Sequence, residues 1–305
     1  MSFEIPPGKE RFFIETKSKV DSLIRKNIFD GIKSYHLQAW INNFEDERAL
    51  YLSAHLLDSL IYRSPDMLKS MRRHMLEMQL VSILNESDYP PPVTIQRFFS
   101  ALSSGDRSVP IRFVAVDGQF EKAPAKSGAA LIRDMRQDGL VHKNLTIRPE
   151  NVEMIPKHVK WLVLLDDFVG TGSQVRKFIA YYDVEKWSIG RTIVLLSFMA
   201  HSDGVTNISR DFPFLKFSAS EVVSEKNGFF SVSANNSGAW VKDDYNSVAD
   251  ACGFYNDLLT SKGISLPGAG YSLDLTVAFS RTIPNNTLSA YWTSQGSWNP
   301  LIVRG

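Results

Sequence analysis

Apolar residues recur at helical spacing through the first hundred positions of the chain and in short unbroken runs after that. Residues 11–29 carry Phe12, Phe13, Val20, Leu23, Ile24 and Ile28 on a period near 3.6, which predicts a helix. Residues 35–44 predict a short second helix. Residues 45–62 predict a third, with Leu50, Leu52, Leu56, Leu57, Leu60 and Ile61 on its apolar side. Ser64-Pro65-Asp66 breaks the chain and opens a fourth helix, over 66–84, since proline suits a first helical turn. The prolines at 90–92 make a stiff joint, and residues 94–102 read as one more helix before the loop Ser103-Ser104-Gly105-Asp106.

After that loop the texture changes. Residues 111–116, 161–165 and 192–196 are short apolar runs rich in Val, Ile and Leu, as expected of strands buried on both faces of a parallel sheet. Helical stretches over 129–137 and 174–182 lie between them, and a later helix (246–262) and strand (273–279) follow. Alternating strand and helix indicates an α/β fold with a parallel sheet. The reading is a helical N-terminal domain over 1–105 and an α/β domain over 106–305.

Composition narrows the function classes. The chain has 305 residues, 44% hydrophobic and 22% charged, which is ordinary globular usage and excludes global disorder. Lys and Arg number 34 against 33 Asp and Glu, so a net charge of +1 gives no overall pull toward nucleic acid or an anionic membrane. The single cysteine, Cys252, excludes an intrachain disulfide and a Cys-rich metal site. No apolar run reaches the ~18 residues of a membrane span. The first residues lack a basic stretch followed by an apolar one. The expectation is a cytoplasmic protein without a membrane partner.

The stretch that carries chemistry is Leu162-Val163-Leu164-Leu165-Asp166-Asp167-Phe168-Val169-Gly170-Thr171-Gly172-Ser173-Gln174. A buried strand ends in two carboxylates, a loop with two glycines follows, and a helix begins. At the carboxyl end of a parallel strand this sets both acids where ligands bind. Gly170 and Gly172 let the backbone approach a ligand. The first N–H groups of the helix, with the Thr171 and Ser173 hydroxyls, make an anion cradle. A ribose 5-phosphate satisfies both halves, with adjacent hydroxyls for the acids and a phosphate for the loop. Competing motifs are missing: the chain has no phosphate loop of the G-x-x-x-x-G-K-[ST] kind, and Val175 stands where a dinucleotide fingerprint needs its third glycine. The six histidines show no H-x-x-x-H spacing, and no G-x-S-x-G elbow is present.

This stretch resembles the 5-phosphoribosyl-1-pyrophosphate (PRPP) motif of type I phosphoribosyltransferases, departing from it at Gln174, where a last hydroxyl residue is usual. The resemblance implies that Asp166 and Asp167 hold the ribose hydroxyls and that residues 170–174 hold the 5-phosphate. It also implies an earlier pyrophosphate loop. Val114-Ala115-Val116-Asp117-Gly118 ends a strand, and Lys126-Ser127-Gly128 precedes a helix, with Lys122 nearby. Lys-Ser-Gly also serves as an ordinary helix cap. Mg²⁺ bound through the pyrophosphate goes with this reading.

The tail adds Gly270-Tyr271-Ser272, Arg281-Thr282-Ile283-Pro284-Asn285-Asn286-Thr287-Leu288, Trp292 and Trp298-Asn299-Pro300-Leu301. With the acidic loop, it resembles a phosphoribosyltransferase-like family of bacterial conflict systems, some members of which accompany retron reverse transcriptases as effectors. The resemblance covers 111–304. It implies an antiviral effector that binds PRPP or a nucleotide, acts at the ribose anomeric carbon, and is kept in check within a complex of a reverse transcriptase and its RNA or DNA. A non-catalytic sensor, a structural subunit and a housekeeping salvage enzyme are the alternatives. Asn285 and Asn286 are the candidates to face a nucleobase, and Trp292 and Trp298 are expected to pack behind them. In the predicted fourth helix the apolar set Met67, Leu68, Met71, Met75, Met78 and Leu80 reads as core. Lys69, Arg72, Arg73 and His74 read as a solvated face or a partner surface.

Overall fold

The computed structural model describes residues 3–87, 94–117, 126–231, 238–241, 243–265 and 273–303, less the side chains of residues 126 and 127. In chain order the first elements are helices α1 (Phe12–Arg25), α2 (Ser34–Ile41) and α3 (Glu47–Ser59), strand β1 (Ile61–Arg63), then helices α4 (Pro65–His74), α5 (Val81–Asn85) and α6 (Ile95–Ser104). Next come strand β2 (Ile111–Ala115), helix α7 (Lys126–Gln137), and strands β3 (Thr146–Ile147) and β4 (Trp161–Val169). Helices α8 (Ser173–Tyr182) and α9 (Val184–Trp187), strand β5 (Thr192–His201), helix α10 (Ser202–Asp211), strand β6 (Leu215–Val223), helix α11 (Val248–Ser261) and strand β7 (Val277–Phe279) complete the series. Among the described residues no helix is long and apolar enough to cross a membrane.

The chain divides into two compact units, one of residues 1–68 with 224–305 and one of residues 69–223. These units cut the chain elsewhere than the boundary after residue 105 read from the sequence, and the reason is pairing across the chain. β1 pairs in parallel with β7, Ile61 opposite Val277 and Arg63 opposite Phe279, so the tail folds with the first helices. Helix α6 belongs with the sheet domain instead: the His142 N–H donates to the Leu102 carbonyl at 2.9 Å.

In the first unit α1–α3 and α11 surround an aromatic core. Trp40 is fully buried and donates its indole N–H to the Ala290 carbonyl at 2.7 Å, and Trp298 donates to the same oxygen at 2.9 Å. The Tyr291 hydroxyl donates to the Leu56 carbonyl at 2.7 Å. Helix α3 starts at Asp46, whose carboxylate accepts the Ala49 N–H at 2.7 Å. It ends at Ser59, short of the predicted Tyr62, because the next residues are drawn into β1.

The second unit is α/β, as expected. Among the described residues its five strands are all parallel, in the order β3-β2-β4-β5-β6. β2, β4 and β5 are the predicted apolar runs, and the central residues Val114, Leu162, Leu164, Ile193 and Leu195 are fully buried. β6 and α10 are additions that the sequence reading did not contain. The predicted fourth helix is α4 and α5 joined by a π-helical segment, Met75–Leu80. Leu68, Met71, Met75 and Leu80 are buried, but Met67 and Met78 are exposed. Arg72 leaves the expected solvated face: it is buried, with Nη1 3.7 Å from Asp134 on α7 and Nε 2.6 Å from Asp138, the residue that follows that helix. Arg73 keeps to the surface and pairs with Glu77 one turn on.

Candidate functional site

The strand order of the second unit has one reversal. From β2 the chain crosses to β3 on one side, and from β4 it crosses to β5 on the other. Ligands of open parallel sheets bind at the carboxyl ends of the strands flanking such a reversal. The carboxyl ends of β2 and β4 therefore flank the position where the sheet favours a ligand. These are the two strands whose ends were singled out in the sequence.

β4 outruns β2 there. The β2–β4 ladder ends at Ala115 opposite Leu165, with one further bond from the Val116 N–H to the Leu165 carbonyl at 2.9 Å. The β4–β5 ladder continues through Asp166 opposite Ser197 to Val169 opposite Ala200. Asp166 and Asp167 thus lie within β4 and just past the last rung of β2, and the strand continues beyond them, where the sequence suggested that it ends in them. Phe168 and Val169 prolong the strand because both are buried and stay within the β5 ladder.

The two acids are not equivalent. Side chains of consecutive strand residues point to opposite sides. Asp166 is 1% exposed, and its Oδ1 accepts the Asp167 N–H at 2.9 Å. Asp167 is partly exposed. Asp167 is thus the more accessible of the two carboxylates, and Asp166 is tied to the backbone that carries it.

The loop follows at once. Gly172 takes φ = +84° and precedes the first turn of α8, a left-handed conformation that favours glycine. Its carbonyl accepts the Arg176 N–H at 2.9 Å, closing that turn. The Thr171 and Ser173 hydroxyls are 2.9 Å apart, Ser173 on the surface and Thr171 half-buried. Gln174 extends the other way: its Nε2 lies 3.5 Å from the Val116 carbonyl, at the long limit of a hydrogen bond, linking α8 to the end of β2.

On the β2 side, α7 begins at Lys126. Gly128 is buried, and a Cβ there would lie 3.3 Å from Ala115 Cβ and from the Val116 backbone, so its lack of a side chain lets the first turn of α7 lie against the end of β2. The side chains of Lys126 and Ser127, and all of Lys122 and Gly118, lie outside the described residues. Asp117, buried, follows β2 and adds a third carboxylate near the reversal. The donors are all oxygen, which suits Mg²⁺, an ion commonly held by one or two carboxylates and the phosphates of its ligand. Among the described residues no group of three or more His, Cys, Asp or Glu is arranged to hold a metal ion by itself.

The structure does not bring every candidate to this place within one unit. Asn285 and Asn286 belong to the first unit, in a turn closed by the Thr287 N–H donating to the Pro284 carbonyl at 3.0 Å. The Asn286 carbonyl accepts the Leu275 N–H at 3.0 Å. Trp298 is buried and Trp292 packs against the same core, its indole N–H on the Thr287 carbonyl at 3.1 Å, so both tryptophans pack as expected. Residues 270–272 lie outside the described part.

Sequence reasoning missed what lies beneath the loop. Helix α10 sets Gly204 where a Cβ would come 2.2 Å from the Gly170 carbonyl oxygen, and Asn207 donates its Nδ2 to the Thr171 carbonyl at 3.2 Å. A signal was present: Val205, Ile208 and Phe212 recur at helical spacing straight after an apolar strand. A glycine inside such a pattern marks a close approach.

The family model PRTase-CE matches residues 37–304. The match takes in the last residues of α2 and all of α3, which the motif resemblance over 111–304 had left out. A comparison with curated proteins finds no match.

Proposed function

The chain belongs to the PRTase-CE family, a phosphoribosyltransferase-like family, and on that premise we propose that its second unit binds PRPP or a nucleotide at the reversal between β2 and β4 and acts on the ribose anomeric carbon. One observation carries the reading: an acid-bearing strand and its Gly-Thr-Gly loop flank the one reversal in the strand order. Asp167 accepts hydrogen bonds from the ribose hydroxyls, and Asp166 keeps the Asp167 backbone in place. The N–H groups and hydroxyls of residues 170–174 hold the 5-phosphate. The first turn of α7, Lys126 to Gly128, holds pyrophosphate. In the reaction the bond from the anomeric carbon to pyrophosphate breaks and a bond to the acceptor forms, through a cationic, oxocarbenium-like transition state. The protein's part is to position the sugar and to place negative charge near it. Mg²⁺, if bound through the pyrophosphate, would supply positive charge that offsets the charge of the leaving group.

Antiviral defence, with the chain as an effector restrained by a reverse transcriptase complex, is part of the same proposal and rests on the resemblance over 111–304. Its check is co-purification from the native operon, and a chain fully active without neighbours would overturn it. One observation favours a second reading, that of a sensor which binds without turnover: Gln174, standing where a phosphate-gripping hydroxyl is usual, faces the Val116 carbonyl.

Calorimetry with PRPP and Mg²⁺ tests the site. Asp167→Asn is expected to weaken binding about tenfold or more, since a charge-assisted hydrogen bond contributes roughly 1.5–3 kcal/mol. Asp166→Asn is expected to lower the melting temperature as well. Unchanged affinity in both variants removes the acids from the site. Pyrophosphate release in the presence of candidate acceptors separates the enzyme from the sensor.

A further inference from the structure

We propose that α10 is a positioning element for the phosphate loop, with Gly204 making room for the Gly170 carbonyl and Asn207 holding the Thr171 carbonyl so that the next N–H groups face a phosphate monoester. The inference rests on the reading of that loop given above.

One face of α10 meets the loop at successive turns. Gly204 stands under the Gly170 carbonyl, Asn207 under the Thr171 carbonyl and Ile208 under Gly172, where an added Cβ would lie 3.1 Å from the Ile208 side chain. One turn further on, Asp211 pairs with Arg176 of α8. These positions are spaced three, one and three residues apart, which is the spacing of a single helix face.

The consequence follows from peptide geometry. In a trans peptide the C=O and the N–H of the next residue point in opposite directions. A Gly170 carbonyl turned toward α10 sends the Thr171 N–H away from α10. A Thr171 carbonyl turned toward α10 does the same for the Gly172 N–H. Two consecutive donors are thereby aimed at the side away from the helix, joining the first free N–H groups of α8. Flipping either peptide would present a carbonyl oxygen to an anion instead.

The residue types suit the task. A side chain at 204 would collide with the Gly170 carbonyl and also stand 3.0 Å from the Val169 carbonyl, so the loop could not settle. Asn207 is oriented by its neighbours. Its Oδ1 accepts from Arg210 Nη2 at 3.3 Å, which leaves Nδ2 to donate to Thr171. Arg210 also donates Nε to Asp211 at 2.8 Å, and Asp211 holds Arg176, whose N–H closes the turn on Gly172. The chain of contacts returns to the loop it started from.

Ribose 5-phosphate and inorganic pyrophosphate, titrated separately into the full chain by calorimetry, test this. Asn207→Ala is expected to weaken ribose 5-phosphate about tenfold while pyrophosphate affinity and melting temperature stay near wild type. Asn207→Asp, which sets an acceptor against the Thr171 carbonyl, is expected to weaken it further. Gly204→Ala is expected to follow the same pattern, with some loss of melting temperature. Equal weakening of both probes, or unchanged ribose 5-phosphate affinity in Asn207→Asp, overturns the positioning role. If the wild-type chain binds ribose 5-phosphate but the variants do too, this inference fails alone. If the wild-type chain binds neither probe, the reading of the loop fails and takes the inference with it.

Discussion

The first unit builds its core from aromatic rings contributed by both ends of the chain, while the second builds its sheet core largely from aliphatic side chains on neighbouring strands. Phe3, Trp40, Tyr51, Trp240, Tyr291 and Trp298 are buried in one cluster. Val114, Leu162, Leu164, Ile193 and Leu195 form the centre of the other. The Trp40 bond to Ala290 joins residues 250 positions apart, so the first unit must close a long loop before its packing contributes. The second unit adds one strand and its crossover at a time. The difference teaches where each unit is vulnerable: the first in a few large anchors, the second in its buried charges and the loops at its strand ends.

The largest expected effect attacks an anchor. Trp40→Ala removes a fully buried indole, its bond to Ala290, its edge contact with Phe44 at 4.7 Å between ring centroids and its stacking on Tyr291 at 6.3 Å. A loss of about 3–5 kcal/mol is expected in a urea titration followed by near-ultraviolet circular dichroism. Amide hydrogen exchange in β4 and β5 should stay slow. Exchange rising there in step would mean one cooperative block and would undo the contrast.

Arg72→Met addresses the second unit. It leaves Asp134 and Asp138 facing the stem of an apolar side chain, and breaking a buried pair costs about 3 kcal/mol or more. Adding Asp138→Asn should recover part of the loss in the same thermal melt. A change under about 1 kcal/mol would return Arg72 to the solvated face that the sequence suggested.

A smaller, pH-dependent effect belongs to the first unit again. His55 is buried, its Nδ1 3.2 Å from the Ala239 carbonyl, and its ring is stacked on Trp240 at 4.1 Å. Burial pushes its pKa down to about 4, although the Ala239 carbonyl, Asp243 and Asp58 pull it up. The unfolded chain takes up the proton near 6.5, so the native state is favoured fully above that pH and loses ground as pH falls toward 4. The expected loss over that window is about 3 kcal/mol or somewhat less. Comparing urea midpoints of wild type and His55→Phe from pH 7.5 to 4 isolates it, and parallel profiles would take His55 out of the account.

The alternation of β2, β4 and β5 with their helices was legible because strands buried on both faces need continuous apolar runs. The strand–loop–helix turn that carries the two acids was legible because an apolar run, two carboxylates and two closely spaced glycines before a helical pattern mark the carboxyl end of a strand. β6 was not, since an edge strand mixes Lys216, Ser218, Ser220 and Glu221 with its apolar positions. Arg72 was misread because its partners, Asp134 and Asp138, lie far along the chain. The tail's place beside the first helices could not be read locally either: the strand over 273–279 was legible, but its partner β1 lay inside the stretch read as the third helix and its end.

The π-helical segment between α4 and α5 has a consequence for how that stretch of chain tolerates length changes. Buried residues there step by four, Met71, Met75, Gln79 and Ile83 in one row, Arg72, Leu76, Leu80 and Leu84 in the next. In an ordinary α-helix each step of four overshoots a full turn by about 40°, and three steps would carry the row about a third of the way round. The wider turns of Met75–Leu80 absorb that overshoot. The helix is in effect geared to a coarser pitch, and a residue gained or lost within it would leave α4 seated while rotating Ile83 and Leu84 out of their seats.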